Sequence, residues 1–356
     1  MLIGYTHHMI REILEEPKVV QETITRESEN ARKIAEEINS EDFDIMYITG
    51  SGTSYHAGLA SQYALSNLAQ IVTSLIPASE FHRWIPQRIS RKSLLMAISQ
   101  SGESTDVLRA VRYGIDRGMK VLGITNTPGS TLARLSDYHL TPRSGKELAV
   151  PATKSYIAQL IAIFMLSLEL ARTNLNADEW EELRKTLNNT PNLLDEALRR
   201  LDEPIREVAD KYADKNLFFI LGSGPNYATA LEGALKLKET CNVFAEGFAT
   251  REFLHGPMRL VDDRTPIIML TYKDEADESL SLIRGFKGFG APIISIGEEH
   301  AELHILSDSF LQLPTGLPKV FSPILYVIPL QLLTYHISVR RGLNPDKPER
   351  LRKVVK

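Results

Sequence analysis

The chain has 356 residues, of which 43% are hydrophobic and 24% are charged, as is typical of a globular protein with two ordinary domains. Its net charge of −4, from 41 basic and 45 acidic residues, argues against nucleic acid as a main partner. The single cysteine, Cys241, cannot form a disulfide within the chain, so we expect a reducing, cytoplasmic compartment.

No membrane-spanning or secretory segment is predicted. Residues 1–11 lack the long apolar core of a signal peptide. The most apolar stretch, residues 324–333, is about half as long as a membrane span and contains Pro329. We therefore expect this stretch to be a buried helix, with no membrane as a partner.

The first half of the chain alternates apolar strands with amphipathic helices, which is typical of a parallel α/β sheet. A strand at residues 44–49 runs into the turn Gly50-Ser51-Gly52. Further strands are predicted at residues 94–98, 120–125 and 138–141.

A loop rich in hydroxyl side chains follows the strand at 94–98 and precedes a helix-compatible stretch at 106–113. It reads SQSGEST over residues 99–105. Backbone N–H groups at a helix N-terminus attract an anion, and hydroxyls add further donors. No GxxxxGK[ST] pattern is present, so a small phosphate monoester is expected rather than a nucleotide. A plain serine-rich turn that caps the helix is the alternative.

The second half repeats the first at a nearly constant offset. The turn Gly50-Ser51-Gly52 returns as Gly222-Ser223-Gly224, and 222 − 50 = 172. Later strands return at the same offset or one residue less. The second-half strands are predicted at residues 217–221, 266–270, 291–296 and 310–313. This spacing predicts a tandem duplication with a boundary near residues 196–206.

The two halves differ where a ligand would bind. The counterpart of the serine-rich loop, residues 271–277, reads TYKDEAD and is acidic. Negative side chains repel a phosphate, so we expect only the first half to bind one.

A second group of chemistry-bearing residues lies on and after the predicted helix 228–241. Lys236 and Glu239 are three residues apart and therefore share a helix face. His255 follows on a Gly-Pro turn. A carboxylate and a histidine are what sugar ring opening and proton transfer between adjacent carbons require. A surface ion pair and a structural histidine are the alternative.

The basic C-terminal run at residues 349–356 supplies a third candidate. Such a tail is normally solvated and mobile. A lysine held over a pocket could instead form an imine with a sugar ketone.

Seven motifs, which together span nearly the whole chain, resemble the sugar isomerase (SIS) family, and within it the isomerase half of glutamine–fructose-6-phosphate amidotransferases. They are GTSYHAG (52–58), AISQSGES (97–104), TPGSTLARLSD (127–137), ATKSYIAQL (152–160), ALEGALKLKE (230–239), HGP (255–257) and DKPERLRK (346–353).

The resemblance implies two tandem SIS domains. Each is expected to be a parallel sheet flanked by helices on both faces, as in a flavodoxin-like three-layer sandwich. We expect a helical lead-in at 1–25, a sugar-phosphate-binding domain at 26–200 and a domain with the acid–base residues at 201–340. A tail at 341–356 is expected to close the active site.

The resemblance also implies roles for individual residues, without a metal or cofactor. Glu239 is the expected base between carbons C1 and C2, with Lys236 beside it. His255 is expected to assist ring opening and to reach the neighbouring subunit's site in a homodimer. Lys353 is the lysine expected to form the imine. The expected sugar-phosphate contacts are Thr53, Ser54, Ser99, Gln100, Ser101 and Ser104, with Val150 on the stretch beside the sugar.

The expected direction of reaction rests on the glutaminase domain, which has no counterpart in this sequence. A glutaminase supplies ammonia at high effective concentration, and without it the same site is expected to run in reverse. The resemblance then implies an SIS-type glucosamine-6-phosphate deaminase, like those known in archaea.

Two alternatives remain open. One is a synthase that uses free ammonia or a separate glutaminase subunit. The other is a phosphosugar sensor that binds without reacting. The presence of Glu239, His255 and Lys353 together argues against a sensor, which needs only the phosphate loop.

Overall fold

The computed structural model describes residues 6–353 and divides into two compact units. Residues 1–5 and 354–356, parts of the expected lead-in and tail, lie outside the described residues. One unit holds the first sheet and comprises Glu15–Glu147, Lys154–Pro191 and the chain from Arg352. The other holds the second sheet and comprises the chain up to Leu14, Leu148–Thr153 and Asn192–Leu351.

Helices and strands alternate along the chain. The first part contains α1 (His8–Leu14), α2 (Glu16–Glu41), β1 (Ile45–Gly50), α3 (Thr53–Asn67), β2 (Thr73–Pro77), α4 (Phe81–Trp84), β3 (Ser93–Ile98), α5 (Thr105–Ile115), β4 (Lys120–Ile124), α6 (Thr131–Leu135), β5 (Tyr138–Leu140), α7 (Lys154–Leu170) and α8 (Ala177–Asn188). The second part contains α9 (Thr190–Tyr212), β6 (Leu217–Gly222), α10 (Asn226–Cys241), β7 (Phe244–Ala249), β8 (Ile267–Thr271), α11 (Ala276–Gly288), β9 (Ile293–Gly297), α12 (Ala301–Leu306), β10 (Ser309–Gln312) and α13 (Pro323–Arg340).

Both sheets are parallel and have the same strand order, which confirms the predicted α/β fold of two SIS domains. The first runs β2-β1-β3-β4-β5, and the second runs β7-β6-β8-β9-β10. In each sheet the chain reverses its direction of progress after the second strand. This creates a topological switch point between β1 and β3, and another between β6 and β8, where open α/β sheets bind their ligands.

The sequence of the central strands explains why they lie inside. Every residue of β3 and of β8 is buried, because helices cover both faces of a parallel sheet. On α5, the apolar side chains fall on one face and are buried, among them Val107 and Val111.

The duplication is visible in small details of the two units. Gly52 and Gly224 precede equivalent helices with φ angles of 55° and 54°. The carboxylate of Asp137 accepts a 2.8 Å hydrogen bond from the Val121 N–H, and Asp308 accepts one of 2.8 Å from the Ile293 N–H. Equivalent contacts at an offset of 171 or 172 residues indicate copies of one ancestral unit.

The sequence-predicted strands all occur, with bounds shifted by one or two residues. Two strands were not predicted. Both β2 and β7 lie at a sheet edge, and each mixes polar or glycine residues with apolar ones. Because an edge strand is only half covered, it lacks the continuous apolar run that marks a central strand.

Two helices are long and apolar enough to span a membrane by length and composition. They are Lys154–Thr173 and Lys319–Arg340, and in each the tested window is 94% buried within the protein. A buried window is expected of a core helix. The prediction that residues 324–333 form a buried helix is confirmed, since they lie within α13.

The imidazole of His336, on α13, makes stability depend on pH. Its Nε2 atom is buried without a hydrogen-bond partner among residues 6–353. Burial, reinforced by the positive charge of Arg206, lowers the pKa of His336 to about 4. Between about pH 6.5 and 4 the unfolded chain therefore binds a proton that the folded chain refuses, so stability falls as pH falls.

We expect the free energy of unfolding to drop by about 2 kcal/mol between pH 7 and pH 5 on account of His336. The measurement is urea denaturation at both pH values. His336→Gln should remove this part of the loss, whereas His304→Gln, which changes an exposed histidine, should not. An unchanged pH dependence in His336→Gln would contradict the assignment.

Candidate active site

The serine-rich loop joins β3 to α5 and is held by its own hydroxyls. Ser99 is buried, and its Oγ accepts a hydrogen bond of 3.1 Å from the Gly102 N–H. The Ser101 Oγ accepts one of 3.2 Å from the Glu103 N–H. Ser104 is the residue before the first turn of α5, but among the described residues its side chain does not cap that helix. The simple capping alternative therefore does not account for Ser104.

Gly102 fixes the shape of this loop. Its φ is +66°, and a Cβ placed there would lie 2.1 Å from the Ser130 Oγ. Only glycine fits both constraints. The resulting turn lies at the positive end of α5, where a bound anion is favoured.

Thr53 and Ser54 lie at the other side of the same switch point. They form the first turn of α3, directly after β1, and β1 pairs with β3 in parallel. Because the carboxyl ends of adjacent parallel strands meet at one sheet edge, this turn and residues 99–104 share that edge. Ser54 is nearly buried, and its Oγ accepts a 3.1 Å hydrogen bond from the Gln159 Nε2.

Lys353 forms an ion pair with a carboxylate that the sequence did not suggest. Its Nζ lies 2.5 Å from the Oε2 of Glu147, whose side chain is fully buried. The backbone N–H and the hydroxyl of Ser155 also donate to Glu147, at 3.1 and 2.7 Å. Glu147 is thus placed to stabilise the Lys353 ammonium and to take its proton. No motif or spacing marks Glu147, and its closeness to Val150 was the one available signal.

In the second unit, α10 places Lys236 between two carboxylates. The Lys236 side chain is fully buried, with its Nζ 2.5 Å from Glu239 Oε2 and 3.4 Å from Glu232 Oε1. Glu232 is buried like the lysine, whereas the Glu239 side chain remains 22% exposed. The sequence showed the Lys236–Glu239 pair but did not mark Glu232.

The burial of Lys236 rules out the surface ion pair considered from sequence. Buried charges are stable when they are paired and hydrogen-bonded. One positive and two negative groups leave this cluster with an excess negative charge, and that excess lies at the accessible carboxylate. Glu239 is therefore an oriented base that a substrate can reach.

His255 is exposed on the turn after the short helix Glu252–Leu254. Within residues 6–353 of this chain, its imidazole makes no hydrogen bond. A shallow cleft of about 330 Å³ lies beside it and is lined mainly by apolar side chains, among them Met258 and Phe289.

Val150 lies on a segment tied to Asp346. Its N–H donates a 2.8 Å hydrogen bond to the Asp346 carbonyl. The Asp346 carboxylate in turn accepts from the N–H groups of His8 and Met9, each at 2.8 Å, at the start of α1.

The expected site residues thus fall into two sets. The unit of the first sheet holds Thr53, Ser54, Ser99, Gln100, Ser101, Ser104 and Lys353. The unit of the second sheet holds Val150, Lys236, Glu239 and His255. Over residues 6–353, no group of three or more His, Cys, Asp or Glu side chains is arranged to hold a metal ion.

The most similar curated relatives include two archaeal proteins named glutamine–fructose-6-phosphate aminotransferase (isomerizing). The protein from Pyrococcus horikoshii is 39% identical over 353 residues, and that from Thermococcus kodakarensis is 40% identical over 355. Each match covers 99% of this chain but 58% of the relative, so the chain spans less than two thirds of their length.

Two solved structures match nearly the whole chain. The C-terminal domain of glucosamine-fructose-6-phosphate aminotransferase from Francisella tularensis is 31% identical with a TM-score of 0.90, over 97% of this chain and 99% of that one. The glucosamine-6-phosphate deaminase from Thermotoga maritima is 25% identical with a TM-score of 0.78, over 98% of this chain and 99% of that one. These matches confirm the predicted resemblance to an aminotransferase isomerase half.

The family model described as the SIS domain matches the chain twice, at residues 43–168 and 211–341. Each match contains one complete five-stranded sheet. On this evidence the chain belongs to the SIS domain family, with two copies of the domain in tandem.

Proposed function

We propose that this protein is a phosphosugar aldose–ketose isomerase that converts glucosamine 6-phosphate into fructose 6-phosphate and ammonia. The observation that carries the proposal is the buried Lys236, hydrogen-bonded to a Glu239 that remains accessible. A sensor needs a phosphate loop but gains nothing from a buried lysine that orients a carboxylate. The likeness to the Thermotoga deaminase supports the direction, because it extends over 99% of that enzyme.

In the proposed reaction the residues at 53–54 and 99–104 hold the phosphate, and Val150 borders the sugar. His255, from the neighbouring subunit of a homodimer, assists opening of the ring. Glu239 then removes the proton from C2 of the open-chain aldehyde and delivers a proton to C1. The proton that O1 gains balances one given up by the amino group, so the product is the C2 imine of fructose 6-phosphate.

The last step releases ammonia from C2. Water can add to the imine carbon directly, which expels ammonia and leaves the ketone. Alternatively, Lys353 attacks C2 after passing its proton to Glu147, ammonia leaves, and water hydrolyses the lysine imine. The 2.5 Å contact between Lys353 and Glu147 supports the second route, because an attacking amine must first lose a proton.

The synthase direction is the second candidate, because the curated relatives are aminotransferases. The same proton transfers run from fructose 6-phosphate and ammonia would give glucosamine 6-phosphate. A separate glutaminase subunit would then be a partner. We propose a cytoplasmic location for either direction, since both substrates are soluble metabolites.

The two directions are separated by supplying each set of substrates to the purified protein. One reaction contains glucosamine 6-phosphate, a second contains fructose 6-phosphate with ammonium, and a third contains fructose 6-phosphate with glutamine. We expect the first to proceed at least as efficiently as the second, and the third to remain inactive. Amination from glutamine, or amination far faster than deamination, would overturn the deaminase assignment.

A further inference from the structure

A buried amide on α7 contacts the proposed phosphate site from behind. The Gln159 side chain is 2% exposed, and its Nε2 donates the hydrogen bond to Ser54 Oγ. The rest of α7 is almost entirely apolar and buried. A long polar side chain is costly in such a place unless it meets a specific partner.

This hydrogen bond determines where the Ser54 proton can point. A serine hydroxyl has one proton and two acceptor lone pairs. Because one lone pair accepts from Gln159, the proton cannot point along the same line. It is left to donate away from α7. Phosphate oxygens only accept hydrogen bonds, so an outward donor is the form of Ser54 that suits a phosphosugar.

The same face of α7 also supports the other end of this unit's site. Ser155 lies four residues before Gln159, one turn away on the same side of the helix. It holds Glu147, and Glu147 holds Lys353. Thus one rigid helix contacts both a phosphate-site hydroxyl and the partner of the tail lysine.

The second SIS domain supplies an internal comparison. Gln331 stands 172 residues after Gln159, on the equivalent helix α13, and it is fully buried. The counterpart of Ser54 is Asn226, which donates instead to the Ser322 Oγ. In the described residues, neither amide atom of Gln331 has a hydrogen-bond partner. The amide–hydroxyl contact therefore occurs in the copy with the serine-rich loop and not in the acidic copy.

We propose that Gln159 is a positioning residue that orients the Ser54 hydroxyl toward the phosphate group of the substrate. The inference rests on the proposed phosphosugar function and adds to it. Gln159 acts through Ser54 and touches no reacting atom.

The test is isothermal titration of glucosamine 6-phosphate, and separately of inorganic phosphate, into the full chain and its variants. Gln159→Leu should weaken binding of both ligands about tenfold, with kcat changed much less. The same change in a Ser54→Ala background should have little further effect, because the hydroxyl to be oriented is gone. Gln331→Leu, the matched change in the other copy, should leave both affinities unchanged.

Gln159→Glu keeps the volume of the side chain and covers the case in which the leucine variant folds poorly. Its carboxylate accepts the Ser54 proton, turns it inward and should also weaken phosphate binding. Wild-type affinity in either folded Gln159 variant, or an equal loss in Gln331→Leu, would overturn the positioning role. If the wild-type protein binds neither ligand, the proposed function fails first, and this inference fails with it.

Discussion

Glu239→Gln should abolish turnover of glucosamine 6-phosphate while leaving its affinity nearly unchanged. The amide cannot take the C2 proton, and general base catalysis contributes about 10² to 10⁴ in rate. We expect kcat to fall at least about 10³-fold. Binding should survive because the phosphate contacts lie in the other SIS domain, on residues 53–54 and 99–104. Steady-state kinetics and calorimetric titration of the same preparation measure both quantities.

Glu246→Gln is the matched control for this change. Glu246 is an exposed carboxylate on β7 of the same unit, and its replacement removes the same charge. It should retain wild-type kcat. Full activity in Glu239→Gln would contradict the assigned role, and so would a loss of phosphosugar affinity as large as the loss of rate.

Lys236→Met should be the most destabilising single substitution in the site. The change leaves Glu232 buried beside no cation, and breaking a buried ion pair in this way costs about 3–5 kcal/mol. Glu239 would lose its orienting partner at the same time, so activity should be lost together with stability. Urea denaturation followed by circular dichroism gives the change in the free energy of unfolding.

The double variant Glu232→Leu with Lys236→Met separates the two effects. It removes both buried charges, so most of the lost stability should return. Activity should not return, because Glu239 still lacks its partner. Wild-type stability in the single Lys236→Met variant would show that Glu232 is not held as a charged group by this lysine.

Much of this architecture could be predicted from the sequence because the repeat carries its own evidence. The recurrence of Gly50-Ser51-Gly52 at 222–224, with strands at a matching offset, anticipated two sheets of one topology. The edge strands β2 and β7 were not anticipated, since partial exposure permits a mixed composition. Local pattern therefore identifies the centre of a parallel sheet better than its edge.

The candidate site was predicted less completely than the fold. Residues with a characteristic motif, such as Ser99 and Glu239, could be named in advance. Glu147, Glu232 and Gln159 could not, because each owes its significance to a partner brought near by folding. Glu147 meets Lys353 across 206 positions of sequence, and Gln159 meets Ser54 across 105. No periodicity or spacing encodes such a pairing.

Lys236 shows how burial changes the meaning of a sequence pattern. A lysine and a glutamate three residues apart on a helix are usually a solvated pair of little energetic consequence. On α10 the same spacing lies at the boundary of the core, with Glu232 one turn further in. The chemistry of Glu239 depends on that environment, and it becomes visible only in the folded chain.

The most direct test of the proposed function is the stoichiometry of products formed from glucosamine 6-phosphate alone. The purified protein is incubated with this one substrate, and ammonia and fructose 6-phosphate are both quantified. We predict equimolar release of the two products, and none from Glu239→Gln. If glucosamine 6-phosphate raises the melting temperature but releases no ammonia, the site binds a phosphosugar without this chemistry, and the deaminase assignment is wrong.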